Sequence, residues 1–212
     1  MRKAARLPLS ALAPWLHELP VRGAYPPVDW AAVFGNAQPV EVEVGFGKGL
    51  FLATAATANP GTNWFGIEIV RKYQLFAATR LAKRALPNVR VACGDGLAFL
   101  RDAVPAGSVQ AVHVYFPDPW WKNRHRKRRL FTLEFAQAAG MALRSGGRLN
   151  VVTDVADYAA MVRATVAALP GLEELPPPEE RPPEHDMDYL TNFERKFRQE
   201  GRAIHRMAYE RA

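Results

Sequence analysis

Asp118 stands between two prolines in the run Phe116-Pro117-Asp118-Pro119-Trp120-Trp121, and the eight residues that follow, Lys122 to Arg129, carry six permanent cations. Each proline fixes its own φ and holds the residue before it extended, so the Asp118 carboxylate has little backbone freedom. A carboxylate held in this way suits positioning or charge stabilisation. The cations behind it are of one sign, whereas a solvated helix usually mixes both, and such crowding expects an anionic partner. Arg124, His125, Arg126, Lys127, Arg128 and Arg129 read as a phosphate clamp, His125 as an accessory donor rather than a catalyst. Trp120 and Trp121 offer apolar walls and faces on which a base can stack. Nucleic acid is the natural partner.

A second constellation lies upstream. Residues 40–49 read VEVEVGFGKG, an alternating strand followed by Gly45, Gly47 and Gly49. Glycine tolerates positive φ and lets a ligand approach the backbone closely. A phosphate-cradling Walker loop needs Ser or Thr after its lysine, but Lys48 is followed by Gly49 and Leu50. A dinucleotide fingerprint needs its third glycine at the position of Leu50, and usually avoids a carboxylate as close as Glu43. An acid beside the turn suits a cationic ligand, and S-adenosyl-L-methionine carries both an ammonium and a sulfonium group. Glu68 closes the next strand, where an acid accepts both ribose hydroxyls. Asp95 follows the third strand, placed either to accept from an adenine amino group or to cap the helix after it. Three acids behind three successive strands argue for a shared ligand.

The elements that must position these residues alternate between β-rich and helical runs, the pattern of a parallel sheet covered on both faces. Strands are expected over 40–44, 64–69, 89–92, 110–116, 148–153 and 203–210. Helices are expected over 50–58, 71–86, 97–103, 130–143 and 156–169, with Ser145-Gly146-Gly147 as a helix-to-strand turn. The 212 residues suffice for one sizeable α/β domain. It is expected over 37–212, after an N-terminal arm (1–36) that need not be ordered, and includes a proline-rich connector at 176–190.

Hydrophobic content of 49% and a charged fraction of 23% are those of a globular protein. The net charge of +7 favours a polyanion. The single cysteine, Cys93, excludes an internal disulfide and a cysteine-rich zinc site, and the five histidines lack metal-ligand spacing. No metal is expected. No apolar run approaches transmembrane length and the N-terminus makes a poor signal peptide, so a soluble cytoplasmic protein without a membrane partner is expected.

Taken together, VEVGFGKG (42–49), FGIEIVRK (65–72), FPDPWWKNRHRKRR (116–129), Thr153-Asp154 with Tyr158 and Met161, and TNFERKF (191–197) resemble the bacterial tRNA (guanine-N7)-methyltransferases. The long basic string is specific; the glycine loop is shared by many methyltransferases. The resemblance implies a Rossmann-like, seven-stranded class I methyltransferase sheet whose last strand, near 203–210, is antiparallel. It implies S-adenosyl-L-methionine held by Glu43, Glu68, Asp95 and Asp118 around Gly45, Gly47 and Gly49, with S-adenosyl-L-homocysteine as product. It further implies contacts to tRNA or the target base from Lys122, Asp154 and Thr191, Asn192, Phe193 and Glu194. The expected target is guanosine 46 of the variable region, with no DNA partner and a monomer or homodimer as the working form.

The chemistry agrees with such a site. Guanine N7 has an in-plane lone pair and no proton, so it needs no general base. In-line approach and stabilisation of the migrating positive charge are the main requirements. Asp118 is the expected catalytic residue, favouring the cation that develops on guanine. Lys122 would lie nearest the target. Asp154 either holds guanine or ribose or caps the helix after it; Glu194 either accepts from the guanine edge or pairs with Arg198. An NAD(P)-dependent oxidoreductase and a non-catalytic RNA-binding scaffold are the rival readings, though the first leaves the cationic run unexplained.

Overall fold

A computed structural model describes residues 7–20, 24–120, 129–176 and 191–212. Its strands are, in chain order, β1 (Leu16–His17), β2 (Val40–Val44), β3 (Asn63–Glu68), β4 (Val89–Cys93), β5 (Val109–Tyr115), β6 (Leu143–Thr153), β7 (Leu172–Leu175) and β8 (His205–Arg211). They form one sheet in the spatial order β1-β4-β3-β2-β5-β6-β8-β7. From β1 to β6 every pairing is parallel; β8 runs antiparallel to both β6 and β7. The mostly parallel sheet with one reversed strand is therefore the expected one.

The strand count needs correction. The six strands located in the sequence are present, β7 (Leu172–Leu175) is a seventh that no sequence run marked, and β1 adds an eighth at the β4 edge. Two residues show no periodicity, so only the unpaired edge of β4 makes β1 a strand. The arm that supplies it is tied down where it is described. Trp15 Nε1 donates to the Leu86 carbonyl at 2.7 Å, Trp30 Nε1 donates to Ser108 Oγ at 3.0 Å, and the Trp30 ring meets Phe65 edge-on. The Ser145–Gly147 turn is a bulge inside β6: Val109 pairs with Leu143 and Ala111 with Arg148, leaving a three-residue excess on β6.

Helices α1 (Leu9–Leu12), α2 (Trp30–Phe34), α3 (Leu50–Ala58), α4 (Arg71–Lys83), α5 (Gly96–Ala98), α6 (Leu133–Ala142), α7 (Ala156–Ala167) and α8 (Asn192–Gln199) cover the sheet. Side chains fix several starts: Asp29, Asp95, Thr132 and Thr191 each accept from a backbone N–H three residues on. Period-two alternation sorts the strand residues between two cores. Val40, Val42, Val44, Phe65 and Val112 pack with Phe135 and Tyr158 of α6 and α7. On the other face Trp64, Val89 and Val91 pack with Phe51, Leu52, Ala77 and Leu81 of α3 and α4. Each large side chain fully buried in these layers contributes about 1.5–3 kcal/mol of transfer free energy. β2 departs from the apolar run usual in a central parallel strand: Glu41 and Glu43 alternate with its valines. Of the connector, only Pro176 lies among the described residues.

Candidate active site

The loop after β2 is built from left-handed glycines: Gly45, Gly47 and Gly49 have φ of 80°, 52° and 65°. At Gly49 a Cβ would also stand 2.7 Å from the Ala77 Cβ of α4, so both conformation and close packing demand glycine there. The loop is laced to β3 by Gly45 N–H donating to the Ile67 carbonyl at 2.8 Å.

Glu43 is 1% exposed, and its Oε2 has no hydrogen-bond partner. Burial first, and the Glu68 charge second, push its pKa up to about 8. Glu68 accepts from Gly47 N–H through Oε2 and from Val70 N–H through Oε1, both at 3.0 Å, so it braces the glycine loop from the end of β3. Asp95 caps α5, accepting from Ala98 N–H at 2.9 Å, and its own N–H donates to Tyr25 Oη at 3.0 Å. The capping reading of Asp95 is thus realised, with an exposed side chain at the carboxyl end of β4.

Asp118 is exposed, just beyond β5. The two residues that frame its Pro-Asp-Pro turn, Phe116 and Trp120, have φ of +50° and +42°. Left-handed backbone in bulky aromatic residues is strained, and such strain is typical of turns that carry function. Phe116 N–H extends the ladder by donating to the Val152 carbonyl at 2.7 Å. Arg129 clasps the turn from the far side: Nε donates to the Pro119 carbonyl at 2.9 Å and the guanidinium lies 5.9 Å from the Tyr158 ring centroid. Arg129 is therefore engaged within the protein. Lys122, Arg124, His125, Arg126, Lys127 and Arg128 lie outside the described residues.

On the β6 side, Asp154 does not cap α7, whose first turn has no side-chain cap. It pairs with Arg202, whose guanidinium sits 4.1 Å from the Phe197 ring centroid. Thr191 caps α8 by accepting from Glu194 N–H at 3.1 Å. Glu194 is 3% exposed and accepts from Arg198 Nε at 3.1 Å and from Arg206. The pairing with Arg198 is thus realised. Phe193, 55% exposed, stacks on Phe197, which packs at 5.5 Å between centroids against Phe116. Helix α8 is thereby set beside the Asp118 turn. For Asn192 the structure describes the backbone position alone.

Sequence reasoning missed a buried polar chain beneath the site. Glu41 Oε2 lies 2.8 Å from His113 Nε2, and His113 Nδ1 lies 2.8 Å from Tyr115 Oη. A neutral imidazole that donates to Glu41 accepts from the Tyr115 hydroxyl. Burial, then the charges of Glu43, Glu41 and Glu194, raise the Tyr115 pKa. The available signal was period two: 41 and 43 share one face of β2, 113 and 115 the same face of β5. Arg202 and Arg206, which hold Asp154 and Glu194, carry no local signal.

β4, β3, β2 and β5 are successive neighbours, and Asp95, Glu68, Glu43 and Asp118 stand at or just past their carboxyl ends. The chain doubles back at β2, the switch point where open α/β sheets bind ligands. Acids at that edge, a glycine turn and one reversed strand define a Rossmann-like methyltransferase. In agreement, a family described as "putative methyltransferase" matches residues 37–207. A tRNA (guanine-N(7)-)-methyltransferase of Rhodopirellula baltica is 44% identical over 185 residues, spanning 84% of this chain and 68% of that protein. One from Geobacter metallireducens is 40% identical, spanning 87% and 88%. The crystal structure of the antibiotic-resistance methyltransferase Kmr superposes with a TM-score of 0.56 over 87% of this chain and 96% of that one, at 20% identity, a likeness of fold alone. The chain belongs to the tRNA (guanine-N(7)-)-methyltransferase family. This membership sets the oxidoreductase reading aside.

Proposed function

We propose that this protein transfers a methyl group from S-adenosyl-L-methionine to N7 of guanine in tRNA, at guanosine 46 of the variable region. The observation that carries the reading is Glu43, buried at the glycine turn with an unpartnered oxygen. A buried carboxylate without a partner is costly, and an ammonium group supplies both the missing hydrogen bond and the missing charge. The residues present fit the cofactor. When bound, it supplies an electrophilic methyl group on a sulfonium.

Glu43 binds and orients the cationic end. Glu68 holds the loop in shape through Gly47 and has lone pairs left for ribose hydroxyls. Asp95 uses Oδ1 as the helix cap, and its carboxylate lies at the edge where an adenine amino group is met. Asp118, held by its prolines and by Arg129 on Pro119, stabilises the positive charge that develops on guanine. No proton leaves N7, so no base is assigned. Asp154 and Glu194, through Arg202, Arg198 and Arg206, hold α8 so that Thr191 and Phe193 flank the target. Exposing the reacting edge of a base engaged in tRNA tertiary structure costs about a few kcal/mol. Phe193 and Trp120 offer surfaces to hold it, with Lys122 and the cations to Arg128 on the phosphates.

The test is labelled methyl transfer to unmodified tRNA with mapping of the modified nucleoside. Incorporation should occur as N7-methylguanosine at position 46 and vanish when that guanosine is replaced by adenosine. Binding of tRNA without transfer would favour the scaffold reading.

A further inference from the structure

Helix α4 presents a face that the site described above does not use. Tyr73 and Phe76 are 38% and 40% exposed, and stand one turn apart, three residues along the helix. The opposite face, with Gln74, Ala77, Ala78 and Leu81, is buried in the core. Lys48 Nζ from the glycine loop lies 5.9 Å from the centroid of the Phe76 ring, and the Arg80 guanidinium 5.8 Å from it. From Ile69 to Gly94 the chain has six lysines or arginines and no carboxylate. An ordinary solvated helix intersperses both signs. Arg71 is paired with Glu18 at 3.2 Å, which leaves Lys48, Lys72 and Arg80 around the two rings. Exposed rings flanked by such cations form the arrangement that takes nucleic acid, with bases against the rings and phosphates on the cations.

Its place in the sheet gives the surface a partner. α4 begins directly behind Glu68 at the carboxyl end of β3, on one side of β2. The cationic run leaves from the end of β5, on the other side. A polyanion engaged by that run and reaching the crevice at β2 meets α4 beyond it. We infer that the outer face of α4, with Tyr73 and Phe76 as stacking surfaces and Lys48, Lys72 and Arg80 as phosphate contacts, is a second RNA-binding platform for the same tRNA. This rests on the functional reading above, because it requires tRNA as the substrate.

The experiment measures tRNA affinity and steady-state methylation for the full chain and for Tyr73→Ala combined with Phe76→Ala. The double variant should bind unmodified tRNA about tenfold or more weakly, with KM for tRNA raised to match. Its kcat at saturating tRNA and its adenosylmethionine affinity should stay at the parent values. Tyr73→Phe with Phe76→Tyr keeps both rings and should bind tRNA as the parent does, which excludes a role of the Tyr73 hydroxyl. Lys72→Glu, which removes no ring, should weaken binding independently and lower the salt slope by about one. Unchanged tRNA affinity in the double alanine variant overturns the platform; so does a change confined to its self-association, which would make the face a contact between copies. Failure of the parent chain to methylate tRNA would instead remove the functional reading and the platform with it.

Discussion

Glu41 and Glu43 stand two residues apart on the same face of β2, and the interior satisfies one of them. Glu41 accepts from Gln110 Nε2 at 3.0 Å and is bridged at 2.8 Å to His113. Glu43, one pleat nearer the glycine loop, has an orphan oxygen. Burial opposes ionisation of both, but the bonds from His113 and Gln110 bring Glu41 below the usual carboxylate range, while Glu43 rises to about 8. One acid belongs to the sheet; the other keeps an oxygen free for the cationic ligand proposed above.

That difference sets a pH dependence. The folded chain holds the Glu43 proton more tightly than the unfolded chain, in which the pKa is near 4.5. Its contribution to the stability of the unliganded protein is full below pH 4.5 and is lost as pH rises to about 8. Glu43→Gln should flatten that part of the melting-temperature profile. Adenosylmethionine affinity, measured by calorimetry, should rise with pH over the same window in the parent and not in the variant, since the cation displaces a proton.

Asp118→Asn keeps the shape of the Pro-Asp-Pro turn and removes its charge. Turnover should fall by about 10²-fold or more, as for the loss of one preorganised electrostatic group, with melting temperature unchanged and a much smaller loss of adenosylmethionine affinity. Near-parental kcat would exclude Asp118 from the mechanism.

Gly49→Ala forces a side chain into φ of 65° and toward the Ala77 Cβ, 2.7 Å away. Urea unfolding should show a loss of at least about 1 kcal/mol from backbone strain alone. Adenosylmethionine affinity should drop further than stability predicts, because the loop that Gly47 and Glu68 hold shifts with it.

Glu194→Ala removes the carboxylate shared by Arg198 and by Arg206, whose side chain is 10% exposed. Breaking such a pair typically costs about 3–5 kcal/mol. Equilibrium denaturation should show a loss of that order. Hydrogen exchange should place it in α8 and β8.

The affinity for tRNA should fall steeply with salt, by roughly 0.7–0.9 log units per log unit of salt for each phosphate neutralised. A nearly flat profile in filter binding would contradict the clamp of Arg124 to Arg128.

Features set by neighbours in the chain were legible without coordinates. The alternation of β2, the spaced glycines, the rigid Pro-Asp-Pro turn and the cap at Asp95 each depend on a few contiguous residues, whose steric limits and hydrogen-bonding reach act locally; helix α8 and its Thr191 cap were not read from the sequence. Strand β1 was not legible, because two residues become a strand only where β4 offers an unpaired edge. The Arg202 partner of Asp154 and the second arginine on Glu194, Arg206, were hidden too, whereas the Glu194–Arg198 pair at i, i+4 was legible. Arg202 lies far along the chain from Asp154, and the antiparallel return of β8 beside β6 brings that part of the chain back; Arg206 reaches Glu194 from β8 across the turn that follows α8. The amino-acid sequence by itself thus determined which groups can bind a cation, bend a loop or meet phosphate. Tertiary structure alone decided which carboxylates are spent on internal arginines and which, like Glu43, remain unpartnered, because burial and long-range pairing are properties of the packed sheet.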